Sequence, residues 1–392
     1  MNDVKDLMNR PLPESEYRSR RDRLAEGLDE AGIDLLFVPP SSDLEYLTGL
    51  ERDLPSFGQS SYAHGWVTGA LIAPGREPLY VLPRMFVLFH LSGRDPGELV
   101  TVNESDDGRA RFRGALQSFG PPARIGIAAR TWGESLLELQ AAAPGAGVVN
   151  ATPIVNRLRR IKSNAELELM RHACSIVDDA MAATAPSVQS GVTMAELGEE
   201  IEHQMRIRGS RTPSFPTHIF SHGCERSHDS QTPSGLEPID EGEAVMFDFG
   251  AVWHGYCSDF GRTVVCGEPP AEYERIYRTM LEAQEAGRAA AVPGARASVV
   301  NAACRAPIED AGLGEFFRHR MGHGIGLDVH EQPFISVEDE TVLETGMTFT
   351  DEPSILWDGH FAVRIEDIVV CAAGGGEILN GLSREPLPSS PR

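Results

Sequence analysis

Between residues 16 and 31 apolar side chains recur at helical spacing, and Gly32 ends the pattern before a buried-strand run over 33–38 that stops at Pro39-Pro40. Further strand-like runs follow at residues 67–73, 79–82 and 125–128, with a helix expected around 134–142. Alternating strands and helices of this kind predict an α/β layer domain. Pro144, Gly145 and Gly147 then interrupt the pattern. Beyond them, Ser163 and Glu166 form a capping box that opens a long helix, with Leu167, Met170, Ala173, Val177 and Met181 along its apolar face. The change of texture places a domain boundary between residues 150 and 160, which divides the chain into 1–155 and 156–392.

A second capping box, Thr193 with Glu196, starts a helix that runs to about residue 208. Residues 212–238 are rich in Ser, Pro, Gly and His and read as a loop segment draped over a site. Strand-like pieces return at 244–249, 262–266, 348–355 and 363–370, with helices at 271–290 and 297–311 between them. The second half is therefore expected to be α+β, without an internal repeat.

Composition narrows the function. At 392 residues, 41% of them apolar, the chain is long enough for two cores. A formal net charge of −23 argues against nucleic acid and anionic membrane as partners, because both require a basic face. The bases are almost all arginine, Lys5 and Lys162 being the only lysines, and the acidic excess reads as a well-solvated surface. Six cysteines without a short repeated spacing suggest reduced thiols rather than a zinc ribbon or a disulfide framework. The polar start, Met1 to Tyr17, and the lack of any 18-residue apolar run lead to the expectation of a cytoplasmic protein. Phe57, Tyr62 and Trp66 read as packing aromatics.

Four acids sit in or beside strand-like segments dominated by apolar residues: Asp248, Asp259, Glu352 and Glu366. Any one of them alone reads equally well as a salt-bridge partner or a strand-end cap. Together they are harder to explain, since each buried carboxylate costs several kcal/mol to desolvate, on the order of the ion penalties known for interiors. Two divalent cations would supply the missing charge. Asp248 and Asp259 flank a short turn, and His323 lies among small neighbours in Gly322-His323-Gly324-Ile325-Gly326. Oxygen donors with one imidazole suit hard or borderline ions such as Mn²⁺, Co²⁺, Fe²⁺ or Zn²⁺ better than a thiolate-loving metal.

The series Asp248-Phe249-Gly250, Ser258-Asp259-Phe260-Gly261-Arg262-Thr263, His323, Glu352-Pro353 and Arg364-Ile365-Glu366-Asp367 resembles the pita-bread metallopeptidases, the family of methionine aminopeptidase, aminopeptidase P, prolidase and creatinase. The stretch from His319 to Glu331 is similar to the proline-peptidase branch, and the N-terminal half to the creatinase-type domain of that family. The resemblance implies a pita-bread catalytic domain, with Asp248 chelating one metal, His323 and Glu352 the other, and Asp259 and Glu366 bridging both. It further implies a metal-bridging water as nucleophile, with Glu352 as its proton acceptor. His330 is implied as a substrate contact, Arg364 as a buttress of the site, and a homodimer as the assembly. For the family's upstream substrate-side histidine the choice falls on His228, with His222 and His218 as competitors, although His228 lies 20 residues before Asp248 and no proline precedes it.

The expected activity is a proline-specific peptidase, either an Xaa-Pro dipeptidase or an Xaa-Pro aminopeptidase acting on small peptides. Two other readings compete. One is a hydrolase or lyase of the same fold with a small non-peptide substrate, such as dimethylsulfoniopropionate, and the other is a metal-free interaction module. The second of these predicts missing ligands, whereas all five are present.

Overall fold

A computed structural model describes residues 11–52, 62–91 and 96–389. Phe57 lies outside the described residues. The chain divides into two compact units, Met1–Arg159 and Arg160–Arg392.

In the first unit the order is α1 (Glu14–Ala31), β1 (Leu35–Val38), α2 (Ser42–Thr48), β2 (Gly69–Ile72), β3 (Leu79–Pro83), α3 (Arg84–His90), β4 (Leu99–Val102), α4 (Gly108–Gln117), β5 (Arg124–Ile127), α5 (Gly133–Ala142), β6 (Gly147–Asn150) and α6 (Thr152–Arg159). A six-stranded sheet in the order β4-β3-β2-β1-β5-β6 forms its middle. The central strand β1 is buried along its whole length, which explains its unbroken apolar run. Phe37, Leu71, Val81, Phe112 and Ile125 build the core, and Trp66 packs edge-on against Phe112 with ring centroids 5.5 Å apart.

Six elements here have no counterpart among those expected from the sequence, namely α2, α3, β4, α4, β6 and α6. The reason is local. Helix α4 carries three arginines among its ten residues, so its buried stripe of Phe112, Ala115 and Leu116 is narrow, and β6 begins at Gly147, which reads as a breaker until β5 pairs with it.

The second unit begins with α7 (Asn164–Thr184) and α8 (Met194–Ile207), and both carry the complete capping box. There follow β7 (His218–Gly223), β8 (Arg226–Asp229), β9 (Ala244–Phe249), β10 (Val252–Trp253), β11 (Tyr256–Cys257), β12 (Phe260–Val265), α9 (Ala271–Ala290) and α10 (Ala297–Asp310). The chain closes with β13 (Gly322–Gly324), β14 (Glu331–Ile335), β15 (Thr348–Asp351), β16 (Ser354–Trp357), β17 (Phe361–Arg364), β18 (Asp367–Val370) and β19 (Glu377–Ile378). The segment expected as loop over 212–238 thus contains a hairpin, β7–β8, held by pairing with β9.

Two main sheets result, one ordered β12-β9-β7-β8 and the other β14-β13-β15-β18-β19. Helices α7 and α8 cover the first through Val177, Leu197, Ile201, Phe247 and Phe249, while α9 and α10 cover the second through Ile276, Met280, Val300 and Phe349. A bridge between Gly261 and Glu366 joins the sheets. Arg262 reinforces that joint from behind, donating to Asp367 Oδ1 at 2.7 Å and to the Glu366 carbonyl at 2.8 Å, with both members of the ion pair wholly buried. Among the described residues, no helix is long and apolar enough to cross a membrane.

Removing one member of a buried ion pair strands the other charge without solvent. Asp367→Ala should therefore lower the stability of the second unit by about 3–5 kcal/mol, measured by urea unfolding, whereas Ser163→Ala, which deletes a helix cap, should cost only about 1 kcal/mol.

Candidate metal centre

Each acid of the expected cluster reaches one place by a different element. Asp248 lies on β9 directly opposite Gly261 of β12, and Asp259 immediately precedes β12. Glu366 follows β17 and pairs back to Gly261. A Cβ at position 261 would stand 2.6 Å from Arg364 Cδ and 2.8 Å from Glu366 Oε2, so glycine is needed for those side chains to cross the strand. Glu352 lies at the turn between β15 and β16, where Thr350 Oγ1 donates to its Oε1 at 3.0 Å. The same hydroxyl accepts the His323 backbone N–H at 3.0 Å, which ties Glu352 to β13.

His323 sits at a register shift in β13. Its Nδ1–H donates to the Gly324 carbonyl at 3.1 Å, and so Nε2 faces Asp259 Oδ2 at 3.4 Å and Glu352 Oε1 at 3.5 Å. The ligand atoms of Asp259, His323 and Glu366 lie within 4.8 Å of one another. Arg364 closes the opposite side. Its guanidinium bonds the Asp248 carboxylate, stands 3.6 Å from Glu366 Oε2 and 3.9 Å from Glu352 Oε2, and is fixed by Nε donating to Ser354 Oγ at 2.8 Å.

The electrostatics follow from burial. Desolvation raises the Asp259 and Glu366 carboxyls above the usual range, Glu366 furthest because Asp259 and Glu352 add to the repulsion. Burial pushes Glu352 in the same direction, but His323, Arg364 and His319 outweigh it and hold that carboxyl below its ordinary value. Burial would depress the His323 imidazole, yet Asp259 and Glu352 together raise it. Asp259 Oδ1 and Glu366 Oε2 are buried without a hydrogen-bond partner. Buried, unsatisfied carboxylate oxygens converging with an imidazole nitrogen are the donor set a hard or borderline cation requires. Asp248, Asp259, His323, Glu352 and Glu366 thus fit metal ions as a group.

All five line one cavity of about 290 Å³, together with His330 and Arg364. The His330 ring lies 4.0 Å from that of His323, and burial and the neighbouring His323 keep its imidazole below the usual range.

The structure places His228 away from the cavity. Side chains alternate along a strand, and on β7 Ile219 and Ser221 face the helix-packed core. His228 pairs with Ser221 and therefore points the same way, buried, with Nδ1 donating to the Ser234 carbonyl at 3.1 Å and Nε2 3.7 Å from Glu243. It is not among the cavity's lining residues; His218 is. His218 lies opposite Asp248 on β7 and is held by Asp229 Oδ1 at 2.7 Å. Once residues 218–223 are seen as a strand, parity alone separates the two histidines.

His319 and Arg320 also line the cavity, although the sequence reading gave neither a role. His319 donates from Nδ1 to the Arg320 carbonyl at 2.7 Å, which leaves Nε2 buried without a partner, and burial lowers its proton affinity. Its place four residues before His323 was the available signal, since both precede the same glycine-rich turn.

Comparison with known proteins agrees with this geometry. A profile of metallopeptidase family M24 matches residues 168–373, and one of the Creatinase/Prolidase N-terminal domain matches residues 20–161. The chain is 38% identical over 237 residues to an Xaa-Pro dipeptidase of Pyrococcus furiosus, covering 60% of this chain and 67% of that one. It is 32% identical to a probable dipeptidase, PepE, of Mycobacterium tuberculosis, with 94% of this chain and 96% of the relative aligned. Among solved structures, an Xaa-Pro dipeptidase from Bacillus anthracis superposes with a TM-score of 0.81 at 29% identity, over 95% of this chain and 99% of the other. The M24 profile spans every residue of the carboxylate cluster, and the chain belongs to metallopeptidase family M24, with a creatinase/prolidase N-terminal domain before the catalytic one.

Proposed function

We propose that this chain is an Xaa-Pro dipeptidase in which Asp248, Asp259, His323, Glu352 and Glu366 hold two divalent cations, manganese being the favoured ion. The observation that carries the reading is the convergence of Asp259, His323 and Glu366 with unsatisfied carboxylate oxygens in a cavity that His330 also lines. The relatives named as dipeptidases support the choice of substrate, and a homodimer belongs to the same reading.

When bound, the two cations supply neutralising charge, polarise the scissile carbonyl and acidify the attacking water. The chain's own residues do the rest. Asp248, Asp259, His323, Glu352 and Glu366 would hold the ions, and Glu352, its carboxyl held below the ordinary range and fixed by Thr350, takes the proton of the attacking water. His330 donates an N–H to the oxyanion that develops on the carbonyl. Phe215, Pro216 and Val329 give the cavity an apolar wall for a pyrrolidine ring, and the Arg320 guanidinium on the same lining is suited to the dipeptide's free carboxylate. His218, oriented by Asp229, takes the substrate-facing role expected of His228.

Elemental analysis of purified protein should find up to two divalent transition ions per chain, and Mn²⁺-loaded protein should cleave Xaa-Pro dipeptides in preference to Xaa-Pro tripeptides and to dipeptides without proline. Protein that neither holds nor responds to such ions would sink the metal assignment, and silence on every peptide would redirect the reading to a non-peptide substrate. Asp259→Ala should release metal and abolish turnover, whereas His330→Ala should retain metal and lose about 10²–10⁴ in kcat, the usual worth of a positioned proton-transfer or hydrogen-bonding group. His218→Ala should lower kcat/KM on Xaa-Pro dipeptides. His228→Ala should leave the constants of the folded fraction unchanged and act on thermal stability instead, and the reverse pattern would restore His228 to the site.

A further inference from the structure

Helix α9 turns a stripe of buried side chains towards the second sheet, with Ile276, Met280 and Ala283 among them, and Gln284 interrupts that stripe with an amide that is 1% exposed. Its Nε2 donates to the Asp351 carbonyl at 3.2 Å, to the Ile365 carbonyl at 3.3 Å and to Asp367 Oδ2 at 2.9 Å. Its Oε1 accepts from Arg384 Nη1 at 3.3 Å. Two N–H bonds are thus shared among three oxygens, and the guanidinium on the other side fixes which way round the amide lies.

The two carbonyls belong to the residues immediately before Glu352 and Glu366. Both glutamates sit in the same interruption of strand pairing. Strands β15 and β18 pair as far as Asp351 with Asp367, and β16 and β17 pair from Ser354 with Arg364, which leaves Glu352-Pro353 and Ile365-Glu366 in the gap between the two ladders. A ladder sets the spacing of its strands wherever it runs. Within the gap the Ile365 N–H reaches the Pro353 carbonyl at 3.4 Å, and Gln284 adds a bridge from the helix side by bonding one carbonyl on each strand. Asp367, the residue after Glu366, completes the grip, with Oδ2 accepting from Gln284 and Oδ1 from Arg262.

We infer that Gln284 is a positioning residue: its buried amide sets the spacing of the two backbone turns from which Glu352 and Glu366 enter the metal centre. The inference rests on the reading of those glutamates as metal ligands. Two like-charged side chains repel across the gap, and a neutral donor behind the backbone holds the turns that carry them. Without that donor the strands part where the ladder is missing, and both carboxylates move with them. The role needs N–H groups and reach together, so neither a side chain of similar length without donors nor an amide drawn back by one methylene replaces it.

The test compares Gln284→Met, Gln284→Asn and Val300→Ala with wild type in the full-length protein. Val300, fully buried on α10, serves as a core cavity in the same layer that lowers thermal stability without removing a hydrogen bond. Amide hydrogen exchange of the metal-free protein, followed by mass spectrometry, should show residues 350–354 and 364–368 exchanging about tenfold faster in both Gln284 variants and as in wild type in Val300→Ala. Calorimetric titration with Mn²⁺ should find the dissociation constant of at least one ion raised about 10- to 100-fold in the Gln284 variants, the usual effect of losing a group that orients a ligand, against less than about twofold in Val300→Ala. Unaltered exchange or unaltered Mn²⁺ affinity in Gln284→Met would overturn the assignment, as would a Val300→Ala variant that weakens Mn²⁺ equally. Gln284→Asn carries the same expectations should Gln284→Met fail to fold. Wild-type protein that takes up no Mn²⁺ would refute the metal reading alone, and exchange in the metal-free protein would then decide the role of Gln284.

Discussion

The second unit is organised around the repulsion among three carboxylates that the fold removes from water. Asp259, Glu352 and Glu366 are each less than one-tenth exposed, and Asp259 and Glu366 each keep an oxygen without a hydrogen-bond partner. Charges so placed require compensation, because the penalty of burying one ion is several kcal/mol, roughly, even after the surroundings relax. The chain supplies part of it through Arg364, which spans Asp248, Glu352 and Glu366, and through His323 between Asp259 and Glu352. The remaining deficit is what makes the cluster a cation site rather than a set of salt bridges. Glu366, with its carboxyl pushed furthest up, feels that deficit most.

Holding like charges together demands a stiff frame, and the architecture supplies one. The two sheets meet at Gly261 and Glu366, at the level of the cluster, and Arg262 with Asp367 locks the joint from the side away from the cavity. Two helix pairs cover the outer faces with apolar side chains, so the strands that carry the acids are buried on one face by packing and on the other by the site itself. The five side chains of the cluster are distributed over β9, the start of β12, β13 and the ends of β15 and β17, and no single element's displacement moves the whole set.

Much of this was legible along the chain. Both capping boxes read from Ser163–Glu166 and Thr193–Glu196 form as expected, because a cap is decided within four residues. The strands bearing Asp248 and following Asp259 announce themselves through apolar runs that a buried strand imposes on its own sequence. Elements that depend on a neighbour were less visible. Strand β6 starts at a glycine and is half exposed, and only its pairing with β5 makes it a strand. The hairpin β7–β8 is polar and rich in serine and histidine, and its partner β9 holds it in place.

His218 and His228 show where the division falls. Four acids on apolar, strand-like segments already read, taken together, as a cluster short of positive charge, because a buried carboxylate needs a compensating partner. Which face of a strand each histidine occupies is set by register, and register is a property of two strands at once: a shift of one residue inverts every side chain. Pairing with β9 places His218 across from Asp248 and turns His228 into the core.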